Sequence, residues 1–119
     1  MAKGSLFVGW GAIIPGREKA ASAALMNAMA YLGRLRAEGL IDGFEAVLLE
    51  PHGGDLEGFV LVRGERDSIA QLRAEEGFLR TIIGVQLVHT KVGVVTAYAG
   101  DEMGPLLALW DQQEARLLG

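Results

Sequence analysis

A chain of 119 residues, half of them hydrophobic and 22% charged, is long enough for one folded domain with a substantial core and too apolar to be largely disordered. Its formal net charge of −4, without a Lys/Arg cluster, argues against a nucleic-acid partner, whose phosphates a protein must neutralise. The absence of cysteine removes disulfides, thiolate metal sites and thiol nucleophiles together, and no apolar run approaches the roughly 20 residues that span a bilayer, so a cytoplasmic protein without a membrane partner is expected.

Ser5 to Ile14 alternates so that Leu6, Val8, Trp10, Ala12 and Ile14 share one face and Phe7, Gly9, Gly11 and Ile13 the other. Both faces are apolar, which predicts a central strand covered on two sides. Gly9 and Gly11 weaken strand propensity, and close approach by another backbone or by a ligand is the usual reason to accept that. Pro15-Gly16-Arg17-Glu18 turns the chain into a helix over about Arg17 to Glu38, with Ala21, Leu25, Ala28, Leu32 and Leu35 as its buried stripe and Gly39 at its end.

The apolar runs Phe44–Leu49 and Phe59–Val62 flank Pro51-His52-Gly53-Gly54-Asp55, so Gly43 to Gly64 reads as a β-hairpin and the pivot of the chain. After it, Gly64-Glu65-Arg66-Asp67-Ser68 is rich in N-terminal signals for a second helix, and Ser68 and Gln71 also fit a capping box. Glu75-Glu76-Gly77 breaks that helix, and its second piece is expected to end at Gly84. Val85 to Ala99 is rich in Val, Thr and Tyr and reads mostly as strand, with Gly93 as a bulge or kink because an unbroken strand of that length exceeds the usual size. Pro105 suits the start of a closing amphipathic helix over residues 103–118, with Leu106, Leu109, Trp110, Gln113 and Leu117 along one stripe. The order is β-α-β-β-α-β plus a terminal helix, in a single domain of residues 1–119 whose core occupies 5–99.

Two histidines are available as general bases. His52 lies in the hairpin turn, where a solvated side chain is the plain reading. His89 shares an extended face with Lys91, Val85 and Leu87, and the two cations there suit either an anionic ligand or the charged rim of an edge strand. Neither histidine has metal-ligand spacing, so no metal or other cofactor is expected. Gly9-Trp10-Gly11 lacks the rest of a dinucleotide fingerprint, and no serine sits in a nucleophile elbow. Tyr31 and Tyr98 could present hydroxyls to a ligand, although aromatic residues at these spacings also serve as core. Trp110 suits an interface anchor.

The junction Ile13-Ile14-Pro15-Gly16-Arg17-Glu18, the β-α-β-β-α-β order and the broken second helix resemble the dimeric α/β-barrel superfamily, whose members are similar to antibiotic-biosynthesis monooxygenases. The resemblance implies an α+β, ferredoxin-like fold: a four-stranded antiparallel sheet, both long helices on one face, and a homodimer through the opposite sheet faces. The C-terminal helix is an addition that many members lack, and it needs a surface to cover, either on its own subunit or on a neighbour at the interface. It also implies a cleft between sheet and helices for a small hydrophobic ligand, lined from Phe7, Gly9, Gly11, Leu25 and Tyr31. Small residues at 9 and 11 also fit plain helix packing. If the chain is an enzyme, the resemblance suggests cofactor-independent oxygenation or isomerisation, with His89 ahead of Tyr98 as the base. The Asn-Trp-His arrangement of haem-degrading members does not transfer, since the one asparagine, Asn27, falls on the first helix. The alternative is a non-catalytic structural or regulatory dimerisation module.

Overall fold

The computed structural model describes residues 2–119. Its elements are β1 (Lys3–Trp10), α1 (Glu18–Ala37), β2 (Gly43–Leu48), β3 (Gly58–Glu65), α2 (Arg66–Arg73), α3 (Glu76–Val88), β4 (Gly93–Ala97), a 3-10 turn (Gly100–Glu102) and α4 (Met103–Leu118). The strands form one antiparallel sheet in the order β2-β3-β1-β4, which is the ferredoxin-like arrangement expected. β1 is central, paired with β3 from Lys3↔Glu65 to Trp10↔Gly58 and with β4 from Ser5↔Ala97 to Gly9↔Gly93.

Strand alternation divides the sheet into two unlike faces. Leu6, Val8 and Trp10 of β1 and Val60 and Val62 of β3 are buried with Leu32 and Leu35 of α1, Ile69 and Leu72 of α2, and Phe78 and Val85 of α3. The other set, with Phe7, Phe59 and Leu61 half-buried and Val95 exposed, faces away from the helices. Each fully buried aliphatic side chain is worth about 1.5–3 kcal/mol, so this single helix-side layer carries most of the stability.

The stripe expected of α1 holds: Ala21, Ala28, Leu32 and Leu35 are buried, Tyr31 joins them, and Leu25 is half-buried. The second helix is also broken as expected, although the break falls at Ala74-Glu75, with Glu76 and Gly77 already in α3. Three other boundaries differ. β1 stops at Trp10 rather than Ile14, because the next backbone groups bond to the segment after α3: Gly11 N–H donates to Thr90 O (2.7 Å) and Thr90 N–H to Ala12 O (2.8 Å). α2 starts at Arg66 with Glu65 as cap residue and no side-chain cap, so Ser68 is inside the helix and not a capping box.

The largest difference is that α3 runs to Val88, so Val85–Val88 is helix and not strand. Phe78, Ile82, Val85 and Val88 recur every three or four residues under α1 and the sheet, and that burial outweighs the β propensity of the valines. Gly93 is the first residue of a short β4 and not a kink within a long one.

On the helix-free side, the 3-10 turn folds back over the Ser5–Arg63 corner. Glu102 is buried; its Oε1 accepts from Ser5 Oγ (3.0 Å) and Ala99 N–H (2.9 Å), and its Oε2 from Arg63 Nη2 (3.1 Å). The Ala99 N–H holds the Glu102 carboxyl below the ordinary glutamate value; burial opposes this, and Ser5 and the charges of Arg63 and Arg66 reinforce it. A folded pKa below the unfolded one contributes stability above the ordinary glutamate range and loses it as pH falls through the folded value. Glu102→Gln is therefore expected to cost about 1–2 kcal/mol at neutral pH, by the usual worth of charge-assisted hydrogen bonds. Urea midpoints should show the deficit at pH 7 and its progressive loss as pH falls below the ordinary glutamate value of about 4.3; an undiminished deficit at low pH would rule out the carboxylate as its source.

Candidate functional site

The sequence reaches a crowded corner where β1, the hairpin and the end of α3 meet. Trp10 ends β1 buried, with its indole lying over Gly58 on the neighbouring strand, where a Cβ would come within 2.8 Å of the ring. Gly11 follows at a backbone contact, since a Cβ there would sit 2.9 Å from Thr90 O and 3.2 Å from Asp55 O. This is the close backbone approach that glycine in a strand pattern signals.

His89 caps the C-terminal end of α3, bridges to Ile13 and is half-buried. Its Nδ1 lies 2.9 Å from Gly11 O. A carbonyl only accepts, so Nδ1 carries the proton and the neutral ring keeps its free lone pair on Nε2. The imidazole lies 5.9 Å from the Trp10 ring centroid. A histidine held in one tautomer by a backbone carbonyl is positioned to take a proton at a defined atom.

Between the sheet and helices α1 and α3 runs an apolar cavity of about 40 Å³, lined among others by Val8, Trp10, Leu25, Tyr31, Val85 and His89. That is room for a few waters and far less than the roughly 150 Å³ that takes benzene. A second pocket of about 440 Å³ shares Trp10, Leu25 and His89 with it and adds Gly11, Leu48 and Glu57. Its size falls in the range of about 300–1,000 Å³ usual for small-molecule sites. Trp10, Leu25 and His89 thus stand between a roomy outer pocket and a narrow inner one.

Tyr31 sits toward the other end of the inner cavity, against Gly77, where a Cβ would approach its hydroxyl to 3.2 Å. The phenol oxygen is buried without a hydrogen-bond partner, and the Arg34 guanidinium lies 5.5 Å from the ring centroid. Burial pushes the Tyr31 pKa up, the charge of Glu75 adds to this, and Arg34 opposes it. Tyr31→Phe removes an oxygen that gains nothing from the protein, so the free protein should keep its urea stability or gain up to about 1 kcal/mol; a clear loss would show that the hydroxyl is satisfied by cavity water.

The residues expected to form the site are thus partly brought together. Leu25, Tyr31 and His89 line the cavity, and Gly11 lines the outer pocket and holds His89. Phe7 and Gly9 lie on the opposite sheet face, a correction to the expected cleft: Phe7 stacks on Phe59 at 5.2 Å, and its ring occupies the space beside Gly9. Tyr98 follows β4 beside the Ser5 end of β1, in a groove with Lys3, Arg66 and Arg73, and does not meet His89. Lys91 is no companion cation either, because its ammonium pairs with Asp55 at 2.8 Å. His52 is exposed, with Nδ1 3.0 Å from Glu50 O. Val85 and Thr81 of α3 enter the lining unforeseen, and the helical spacing Phe78–Ile82–Val85 was the available signal. Among the described residues no three His, Asp or Glu side chains converge as a metal site, and no helix is long and apolar enough to cross a membrane.

No family model matches the sequence, and no curated protein does. Solved structures do match in fold. A dimeric ferredoxin-like protein of unknown function from Jannaschia sp. CCS1 superposes with a TM-score of 0.65 at 14% identity, covering 82% of this chain and 100% of that one. A DABB family protein with a ferredoxin-like fold from Mesorhizobium loti gives 0.63 at 8% identity, over 83% and 99% of the two chains. SnoaB from Streptomyces nogalater, a cofactor-independent oxygenase, gives 0.53 at 19% identity, over 84% and 98%. The uncovered part of this chain is about the length of α4 with its approach. The resemblance read from the strand-to-helix junction and element order therefore stands at the level of architecture: this chain has the ferredoxin-like fold that these proteins share.

Proposed function

We propose that the chain is a single-domain homodimer, joined through the helix-free faces of its sheets, that binds or transforms a small hydrophobic molecule in the pocket around His89 by cofactor-independent oxygenation or isomerisation. The observation that carries this is His89 itself, locked by Gly11 O with Nε2 free at the boundary of two pockets. An apolar ligand carrying a C–H next to a carbonyl would lose that proton to Nε2 and leave an enolate, as a phenol would leave a phenolate. Return of the proton at another carbon completes an isomerisation. Alternatively the enolate passes one electron to O2, the radicals combine to a peroxide anion that takes the proton back from His89, and loss of water from the hydroperoxide, with the second hydrogen of that carbon, leaves a new carbonyl. That SnoaB, a cofactor-independent oxygenase, shares the fold supports the second course. Leu25, Trp10 and Val85 keep the site poor in water, which strengthens each polar contact within it.

A non-catalytic dimerisation module is the second reading, favoured by α4, which exposes Leu109 and Trp110. Native mass spectrometry of protein purified without added ligand, followed by a thermal-shift screen of aromatic ketones and phenols, separates the two. A dimer with a discrete extra mass that denaturation removes, or a stabilising ligand lost in a His89 variant, supports the binding pocket. A clean dimer indifferent to every compound favours the module, and a clean monomer overturns the sheet-face assembly.

A further inference from the structure

We infer that α4 packs against a second copy of this chain, as a clasp that completes the sheet-face dimer; the inference rests on the dimer proposed above and adds to it the element that holds it closed. In the single chain α4 has no buried residue over its 16 positions, and its one substantial neighbour is the 3-10 turn that precedes it. Trp110 is 68% and Leu117 72% exposed. The helix carries the molecule out to 52 × 38 × 23 Å with a radius of gyration of 16.2 Å, against about 13.5 Å for a compact chain of this length. Met103, Leu106, Trp110, Gln113 and Leu117 recur every three or four residues along one uncharged stripe, with Glu114 at its edge and Asp111 off it. A helix of this length with a free apolar stripe has no stability of its own in water and takes it from a surface.

The surface is indicated by where the helix is rooted. Glu102, the residue before α4, is bonded to Ser5 and Arg63, whose side chains project from the helix-free face. α4 therefore starts at the rim of the face a second copy covers. Size gives the second argument. Four strands about 4.8 Å apart and about six residues long give the face a projected area of about 400 Å². A 16-residue helix is about 24 Å long and 10 Å wide. Each subunit of a symmetric pair both contributes and receives one, which about doubles the projected contact area. Phe7, Phe59, Leu61 and Val95 supply an apolar face of the same character for the stripe and the opposing sheet.

Sedimentation equilibrium of the full chain, of Trp110→Glu and of Val95→Glu tests this, with thermal melts of each. The full chain should be a dimer. Trp110→Glu should raise its dissociation constant by at least about 100-fold, since a hot-spot change occurs twice in a symmetric pair, and at concentrations that dissociate both proteins its melting temperature should match the parent's, because the side chain is free in the single chain. A dimer whose constant Trp110→Glu leaves unchanged overturns the clasp and keeps the sheet-face dimer. A lowered melting temperature with an unchanged constant shows α4 folded on its own sheet and overturns the clasp as well. Dissociation by Trp110→Glu but not by Val95→Glu keeps α4 as the contact and removes the sheet-face dimer. A monomeric full chain overturns both.

Discussion

Once a substrate has been found, His89→Gln should lower turnover by about 10²- to 10⁴-fold, the range that positioned general bases contribute. Glutamine can still donate its amide N–H to Gly11 O, so the bond that ties α3 to the end of β1 can persist while the lone pair at the outer nitrogen is lost. The loss should fall on kcat with KM little changed, because the pocket lined by Trp10, Leu25 and Val85 is left as it was. Nitrogen chemical shifts of the imidazole give an independent check, since the neutral ring should carry its proton on Nδ1. Full activity in the variant would remove His89 from the chemistry, and a proton on Nε2 would undo the argument for which atom acts.

Gly11→Ala should lower the unfolding free energy by about 3–5 kcal/mol, a large effect for one methyl group. The new carbon would sit 2.9 Å from Thr90 O and 3.2 Å from Asp55 O, both backbone atoms that no rotamer change can move. Relief requires the chain to part where Gly11 N–H meets Thr90 O and Thr90 N–H meets Ala12 O, at about 1 kcal/mol for each bond weakened, in addition to overpacking strain of about 1–3 kcal/mol. A urea titration measures the loss. His89 follows Thr90 in that displacement, so a ligand bound in the outer pocket of the parent should bind the variant more weakly. Unchanged stability would show that the loop after α3 yields freely, and the fixed tautomer would then lose its support.

The sequence was most legible where punctuation and burial agree. Pro51 with Gly53 and Gly54 marks the hairpin, Glu75-Glu76-Gly77 announces within a residue or two the break between the two halves of the second helical region, and the four- and three-residue spacing of Ala21, Leu25, Ala28, Leu32 and Leu35 locates α1 against the sheet. It was least legible where local preference and tertiary contact conflict. Val85 and Val88 favour strand as individual residues, yet their three-residue spacing continues the buried face begun by Phe78 and Ile82, and the helix wins.

The side of the sheet on which Phe7 and Gly9 fall could not be read from β1, because a strand that is apolar on both faces does not declare which one meets helices. Helix α3 moved His89 from an extended face to a helix end, and with that its partner changed from Lys91 to Gly11. Glu102 gave no warning of burial at all. Its three partners come from β1, β3 and the residue three before it, and only the folded chain assembles them.

Tyr31 occupies the room that a side chain at Gly77 would need, and all three of the atoms nearest to that missing Cβ belong to the tyrosine; Phe7 takes most of the corresponding room at Gly9. The volume at each place is held jointly by two positions, one filled and one vacated. Inheritance at such a pair is conditional: a methyl group harmful at position 77 while the tyrosine is large becomes useful once residue 31 has shrunk. Descendants of this chain could exchange which helix supplies the bulk only by passing through a clash or a void, and selection acts on the couple and not on either residue.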